Sequence, residues 1–169
     1  MKVSRTISPL LIVFLLVIVS TQPSSSAIAL EQGASARGEG DFSFFNGLQT
    51  VHFHFAFDVQ ANKHGNARGR AQFNNLTNDT EVIAKIDCLN VIGSEALMTG
   101  TVLHSNDPDF PKRANVIFDA TDAQLAPIFS SDTITPLFIS PFTDCHDAAS
   151  PLTILQVGDS IQIDPGSDE

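Results

Sequence analysis

The sequence predicts an all-β fold, an antiparallel β-sandwich or small β-barrel of about eight short strands. Three observations carry that expectation. Residues 51–59, VHFHFAFDV, place Val51, Phe53, Phe55, Phe57 and Val59 at every second position, the alternation of a strand with one buried face. Shorter apolar runs recur along the chain, separated by turn-forming Asn, Asp, Gly and Pro. Beyond residue 29 no segment sustains helical periodicity, and no fixed repeat suggests a propeller or solenoid.

The first 29 residues read as a signal peptide. Lys2 and Arg5 precede the apolar run Leu10 to Val19, a Ser-rich stretch follows, and Ala27-Ile28-Ala29 has the small-x-small pattern that signal peptidase reads. The run is too short for a membrane span, which needs ~20 apolar residues. The expected location is therefore secreted or extracytoplasmic, with no transmembrane anchor after cleavage. Cleavage after Ala29 leaves 140 residues, the size of one domain. Residues 30–40, rich in Gly, Ala, Ser and charge, read as a flexible leader, residues 41–165 as the single all-β domain and residues 166–169 as an acidic tail.

Within the domain, Phe42, Phe44 and Phe45 form a short strand that Asn46-Gly47 turns into the Phe-rich strand. A polar turn at residues 62–66 leads to ARGRAQF, with Ala67, Gly69, Ala71 and Phe73 on one face; Gly69 is expected to make room for a Phe of the preceding strand. The turn NNLTNDT contains glycosylation sequons at Asn75 and Asn78, read here as turn chemistry. A hairpin follows, Glu81 to Val91 and Glu95 to His104, joined around Gly93-Ser94. Val82, Ala84, Ile86 and Cys88 share one parity while Leu89 and Val91 take the other, which predicts a bulge near Cys88. A Pro- and Asp-containing loop at 106–113 precedes the strand ANVIFDA. A single helical turn capped by Thr121 or Asp122 is ended by Pro127, and short strands are expected at 134–139, 152–155 and 160–163.

Composition narrows the function classes. The net charge of −10 becomes −12 once Lys2 and Arg5 leave with the signal, a balance that repels phosphate backbones and anionic lipid and excludes nucleic acid as a partner. The chain has no Trp and no Tyr but 13 Phe, so its aromatics fill a core rather than offer a sugar platform with a polar handle. Cys88 and Cys145, the two cysteines, read as a disulfide in an oxidising compartment, with a chain-entropy contribution of roughly 4 kcal/mol. Neither belongs to a CxxC pair that would argue for a reactive thiolate.

Phe53 to Phe57, Gly65 to Gly69, Ile86 to Gly93, Ala96 to Thr101, Val116 to Asp119, Cys145 and Gly158 to Ile163 form an ordered string of short motifs. The string resembles a loose group of small exported bacterial all-β proteins of unassigned function. That resemblance implies a secreted β domain and transfers no catalytic residue. The chain departs from the group's pattern after Asp119, where ATDAQLAP replaces a Gly-rich acidic turn.

Candidate chemistry is sparse. His52-x-His54 sets two imidazoles on one strand face about 6.5–7 Å apart, a spacing that suits two ligands of one divalent metal, with Asp58, His104 or His64 completing the set. Otherwise both histidines are solvated residues behind the Phe stripe. Asp107, Asp109, Asp119, Asp122, Asp132, Asp144 and Asp147 lie in acidic groups but without a calcium-loop ladder, and read as solvated charge. There is no GxSxG, and Arg68 with Arg70 is a compact basic pair more typical of an edge than of an anion site. The expectation is a non-enzymatic exported module with an unidentified extracellular binding partner or structural role and no resident cofactor. The alternatives are a metal enzyme built on His52 and His54, or a barrel whose Phe stripe lines a cavity for a small apolar ligand.

Overall fold

The computed structural model describes residues 32–62, 66–125, 131–151, 155–158 and 160–166. Ten strands follow in chain order: β1 (Gln32–Phe45), β2 (Thr50–Asn62), β3 (Asn66–Asn75), β4 (Thr80–Ile92), β5 (Glu95–Ser105), β6 (Asn115–Thr121), β7 (Asp132–Ile134), β8 (Phe138–Ile139), β9 (Leu155–Gly158) and β10 (Ile161–Asp164). They form one antiparallel sheet in the order β10-β1-β2-β3-β4-β5-β6-β7-β9, with β8 on β6. The first and last strands of that order are consecutive in the chain. The sheet therefore curls on itself as a partial barrel, the barrel alternative of the expected all-β class. Among the described residues no helix is long and apolar enough to cross a membrane.

The Phe stripe is inward, as its periodicity requires. Phe55 and Val59 are fully buried and Phe57 nearly so, each Phe worth about 2–3 kcal/mol of burial. Phe118 of β6 reaches the same interior and meets Phe57 and Phe73 edge-on, at centroid distances of 5.5 and 5.2 Å.

Residues 32–40 are not a leader. They are the first two-thirds of β1, paired with β2 over Ser35–Gly40 and with β10 through Ser35, Ala36, Arg37 and Gly38. A period of two was present in them, carried by Ala34, Ala36, Gly38 and Gly40 rather than by large apolar groups. Small residues are needed because rings from β2 lie over them. A β-carbon on Gly38 would stand 2.9 Å from Phe57 Cζ, and one on Gly40 would stand 3.2 Å from Phe55 Cε1. Gly69, expected to accommodate a Phe, instead lies against the β2 backbone, where a β-carbon would come within 2.4 Å of the Asp58 carbonyl oxygen. The glycines that accept phenylalanine are on the other neighbouring strand.

Local expectations elsewhere hold in part. At the β1–β2 turn the Asn46 side chain accepts the Leu48 and Gln49 N–H groups, both at 3.0 Å, and Gly47 takes φ +95°. Asn75 accepts the Thr77 and Asn78 N–H groups in the same way. The β4–β5 register slips between Ile86 and Cys88. Before that bulge Val82, Ala84 and Ile86 face inward; after it Leu89 and Val91 do, and Cys88 is turned to the outer face instead of sharing the face of Ile86. Residues 122–125 make a single turn, Leu125 N–H donating to the Asp122 carbonyl at 3.2 Å. The strand expected over 134–139 is two pieces, β7 and β8. Residues 1–31, 63–65, 126–130, 152–154, 159 and 167–169 lie outside the described residues, and with them the signal peptide, the start of the expected leader, His64, Pro127 and the end of the acidic tail.

Candidate functional site

The barrel mouth at the β1–β2 and β3–β4 turns holds an open cavity of about 490 Å³. The C-terminal end of β1 contributes Phe42 and Phe44, β2 contributes Phe53, and β3 contributes Phe73; the loop after β5 brings Asp107 and Asp109, and the segment after β7 brings Leu137 and Phe138. Phe42, Phe44 and Phe53 are stacked, with centroids 5.1 Å apart for Phe42–Phe53 and 5.8 Å for Phe44–Phe53. The register aligns them: Phe42 pairs with Phe53, and Phe44 lies two residues on along the same face. Phe44 and Phe53 are only half-buried, so their ring surface is open to the cavity. Among the described lining residues none is Lys, Arg or His. At the rim Asp107 is held in place, Oδ1 accepting the Asp109 N–H at 2.9 Å and Oδ2 the Thr80 hydroxyl at 3.2 Å.

The His pair is placed as its spacing requires, on the outer face of β2. His52 Nδ1 shares a hydrogen bond with Ser43 Oγ at 2.7 Å, and His54 Nδ1 lies 2.9 Å from Asp41 Oδ1 and its Nε2 3.8 Å from Glu39. Asp58 stands on the same face, opposite Arg37 on one side and Arg70 on the other. His104 is not brought to the pair. It sits on β5 opposite Ile83, three strands away, a separation of about 14 Å at the usual strand spacing. Arg68 and Arg70 are exposed and face Gln60 and Asp58 across the register.

Ligand-type atoms do converge elsewhere among the described residues, at Cys88, Asp144, Cys145 and His146, all within 4.8 Å of one another. Cys88 and Cys145 are bonded as the expected disulfide, with Cα atoms 5.7 Å apart. With both sulfurs in that bond, the group offers only Asp144 and His146 as ordinary metal donors. The bridge fixes a strap, residues 140–151, across the outer face of β4, β5 and β6. Thr99 Oγ1 donates to the Thr143 carbonyl at 3.0 Å, and Ser150 Oγ to Asp119 Oδ2 at 2.8 Å. Leu97, Ile117 and Ala148 fill the space around the bridge.

Three carboxylates expected to be solvated are buried. Asp119 lies under the strap; burial pushes its carboxyl up to about 8, with the neighbouring Glu95 acting in the same direction through a hydrogen bond and its charge, and Ser150 opposing. Asp122 and Asp132 clamp the end of the chain. Asp132 accepts the N–H groups of Ala123 and Ile161 at 2.8 and 2.6 Å, and Asp122 those of Gln124 and Ile163 at 2.9 and 3.2 Å. On this side β10 has carboxylates where a neighbouring strand would supply carbonyls. Sequence reasoning missed this use because the signal, Asp beside Thr and Ala between apolar runs, is also that of an ordinary exposed turn.

Comparison with known proteins identifies no relative: no family model matches the chain, and no curated protein or solved structure matches it significantly.

Proposed function

We propose that the protein is an exported, non-catalytic binding module that holds a small, largely apolar ligand in the mouth of its barrel. The observation that carries this reading is the cavity of about 490 Å³, within the usual size range of small-molecule sites and walled by half-open Phe rings. Phe118 is fully buried in the core cluster with Phe55, Phe57 and Phe73. Export is supported by the signal-like N-terminus and by the formed disulfide. The histidine pair supports a metal enzyme less well, since among the described residues no group of three or more donor atoms converges at His52 and His54, and His104 lies three strands away.

The test uses the folded protein with the neutral fluorescent probe N-phenyl-1-naphthylamine. Saturable binding is expected in the wild type, and Leu137→Trp, which fills the mouth, is expected to abolish it. The absence of native Trp and Tyr lets the new indole report that the variant is folded. No saturable binding to the wild type, or equal binding to a folded L137W, would overturn the reading.

A further inference from the structure

Resting on the mouth as a ligand site, the geometry points to a cationic amphiphile as its occupant: an apolar, preferably aromatic body against Phe42, Phe44 and Phe53, and a single ammonium-type head at Asp107 and Asp109. Two features of the lining meet in this assignment. Its walls are mainly Phe, Val and Leu, with Asn46, Asn75, Asn78 and Thr80 among them, and half-buried Phe44 and Phe53 offer ring surface suited to a cation as well as to an apolar body. Its charged side chains are both carboxylates, with no basic residue among the described lining residues.

The rim is built to present that charge. Asp107 is oriented by the Asp109 N–H and by Thr80, while its side chain also ties the loop to the start of β4. Asp109 is exposed beside it. Lys112 and Arg113 come later in the same loop, are exposed, and are not among the residues that line the cavity. A carboxylate ligand would meet two like charges there, and a neutral one would leave them uncompensated. The chain's net charge of −10 adds a long-range bias of the same sign.

A matched series separates body from head. 4-Phenylbutylamine, 4-phenylbutanol and 5-phenylpentanoate share one phenylbutyl body and carry a cationic, a neutral and an anionic head, and their affinities are read by displacement of N-phenyl-1-naphthylamine at neutral pH. The amine is expected to bind at least about tenfold more tightly than the carboxylate, with the alcohol between them, and added salt is expected to narrow that spread. Asp109→Asn, an exposed change that leaves the Asp109 N–H to Asp107 intact, is expected to lower amine affinity severalfold while alcohol affinity stays the same. Equal affinity for the three heads, or an unchanged amine-to-alcohol ratio in D109N, would overturn the cationic assignment and leave the apolar-ligand reading standing. Failure of the naphthyl probe and of all three compounds to bind would overturn both.

Discussion

The ring of Phe57 covers Gly38 on the neighbouring strand, so closely that a β-carbon there would stand 2.9 Å from ring carbons on one side and 2.9 Å from Ile161 Cγ1 on the other. The glycine is a packing requirement, not a flexible point. Gly38→Ala should therefore destabilise the protein by about 1–3 kcal/mol through overpacking, in spite of the higher strand propensity of alanine. Denaturant unfolding measures the change. Gly40→Ala, where the nearest ring carbon would be 3.2 Å away, should cost less than G38A.

The bond between Cys88 and Cys145 closes a long loop and holds the strap over β4 to β6. A Cys88→Ala, Cys145→Ala double variant should lose up to about 4 kcal/mol of stability. Proteolysis should then cut first within residues 140–151, because the polar contacts from Thr99 and Ser150 are few without the covalent tie. A variant that melts at the wild-type temperature would contradict this assignment of the bridge.

Asp119 makes stability depend on pH with a definite sign. Its carboxyl, ordinarily near 3.8, is raised to about 8 in the fold, chiefly by burial and then by Glu95. Between those values the folded state binds the extra proton, so this group's contribution is complete below about pH 4 and is lost as pH rises through about 8. Asp119→Asn keeps a neutral, hydrogen-bonding group of the same shape. Melting curves should show D119N close to wild type at pH 5 and more stable than wild type at pH 9. A difference that is the same at both pH values would remove the protonated Asp119.

Asp132 accepts two N–H groups, from Ala123 and Ile161. Asp132→Ala would leave both without partners, at about 1–3 kcal/mol for each one that stays buried. The loss should be local before it is global. Hydrogen exchange of the Ile161 and Ile163 amides is expected to accelerate well before that of β2, and unchanged protection would show that another group holds β10.

What the sequence made legible depended on the size of the residues carrying the pattern. β2 was readable because its inward positions are Phe and Val, and the bulge at Cys88 because bulky Ile86 and Leu89 lie on opposite parities. β1 followed the same alternation, but with Ala and Gly inward its signal was indistinguishable from that of a linker, and only the rings of Phe55 and Phe57 explain the choice. Of the Phe stripe, only Val51 and Phe53 line the mouth, while Phe55, Phe57 and Val59 fill the core. The boundary of the mouth was not legible, since residues from β1 to the segment after β7 meet there only through the curl of the sheet. Asp119, Asp122 and Asp132 were hidden for the opposite reason: in so acidic a chain a buried carboxylate looks like any other.

The clamp at β10 has a consequence for how the molecule behaves in a crowd of its own copies. A sheet edge invites another strand when its row of N–H and carbonyl groups stands open. Along this edge the N–H groups of Ile161 and Ile163 are taken by Asp132 and Asp122, and a carboxylate can accept a hydrogen bond but offers an approaching backbone no donor in return. The donors of Ile161 and Ile163 are thus already taken by two buried side chains, and a foreign strand finds neither of them open at β10.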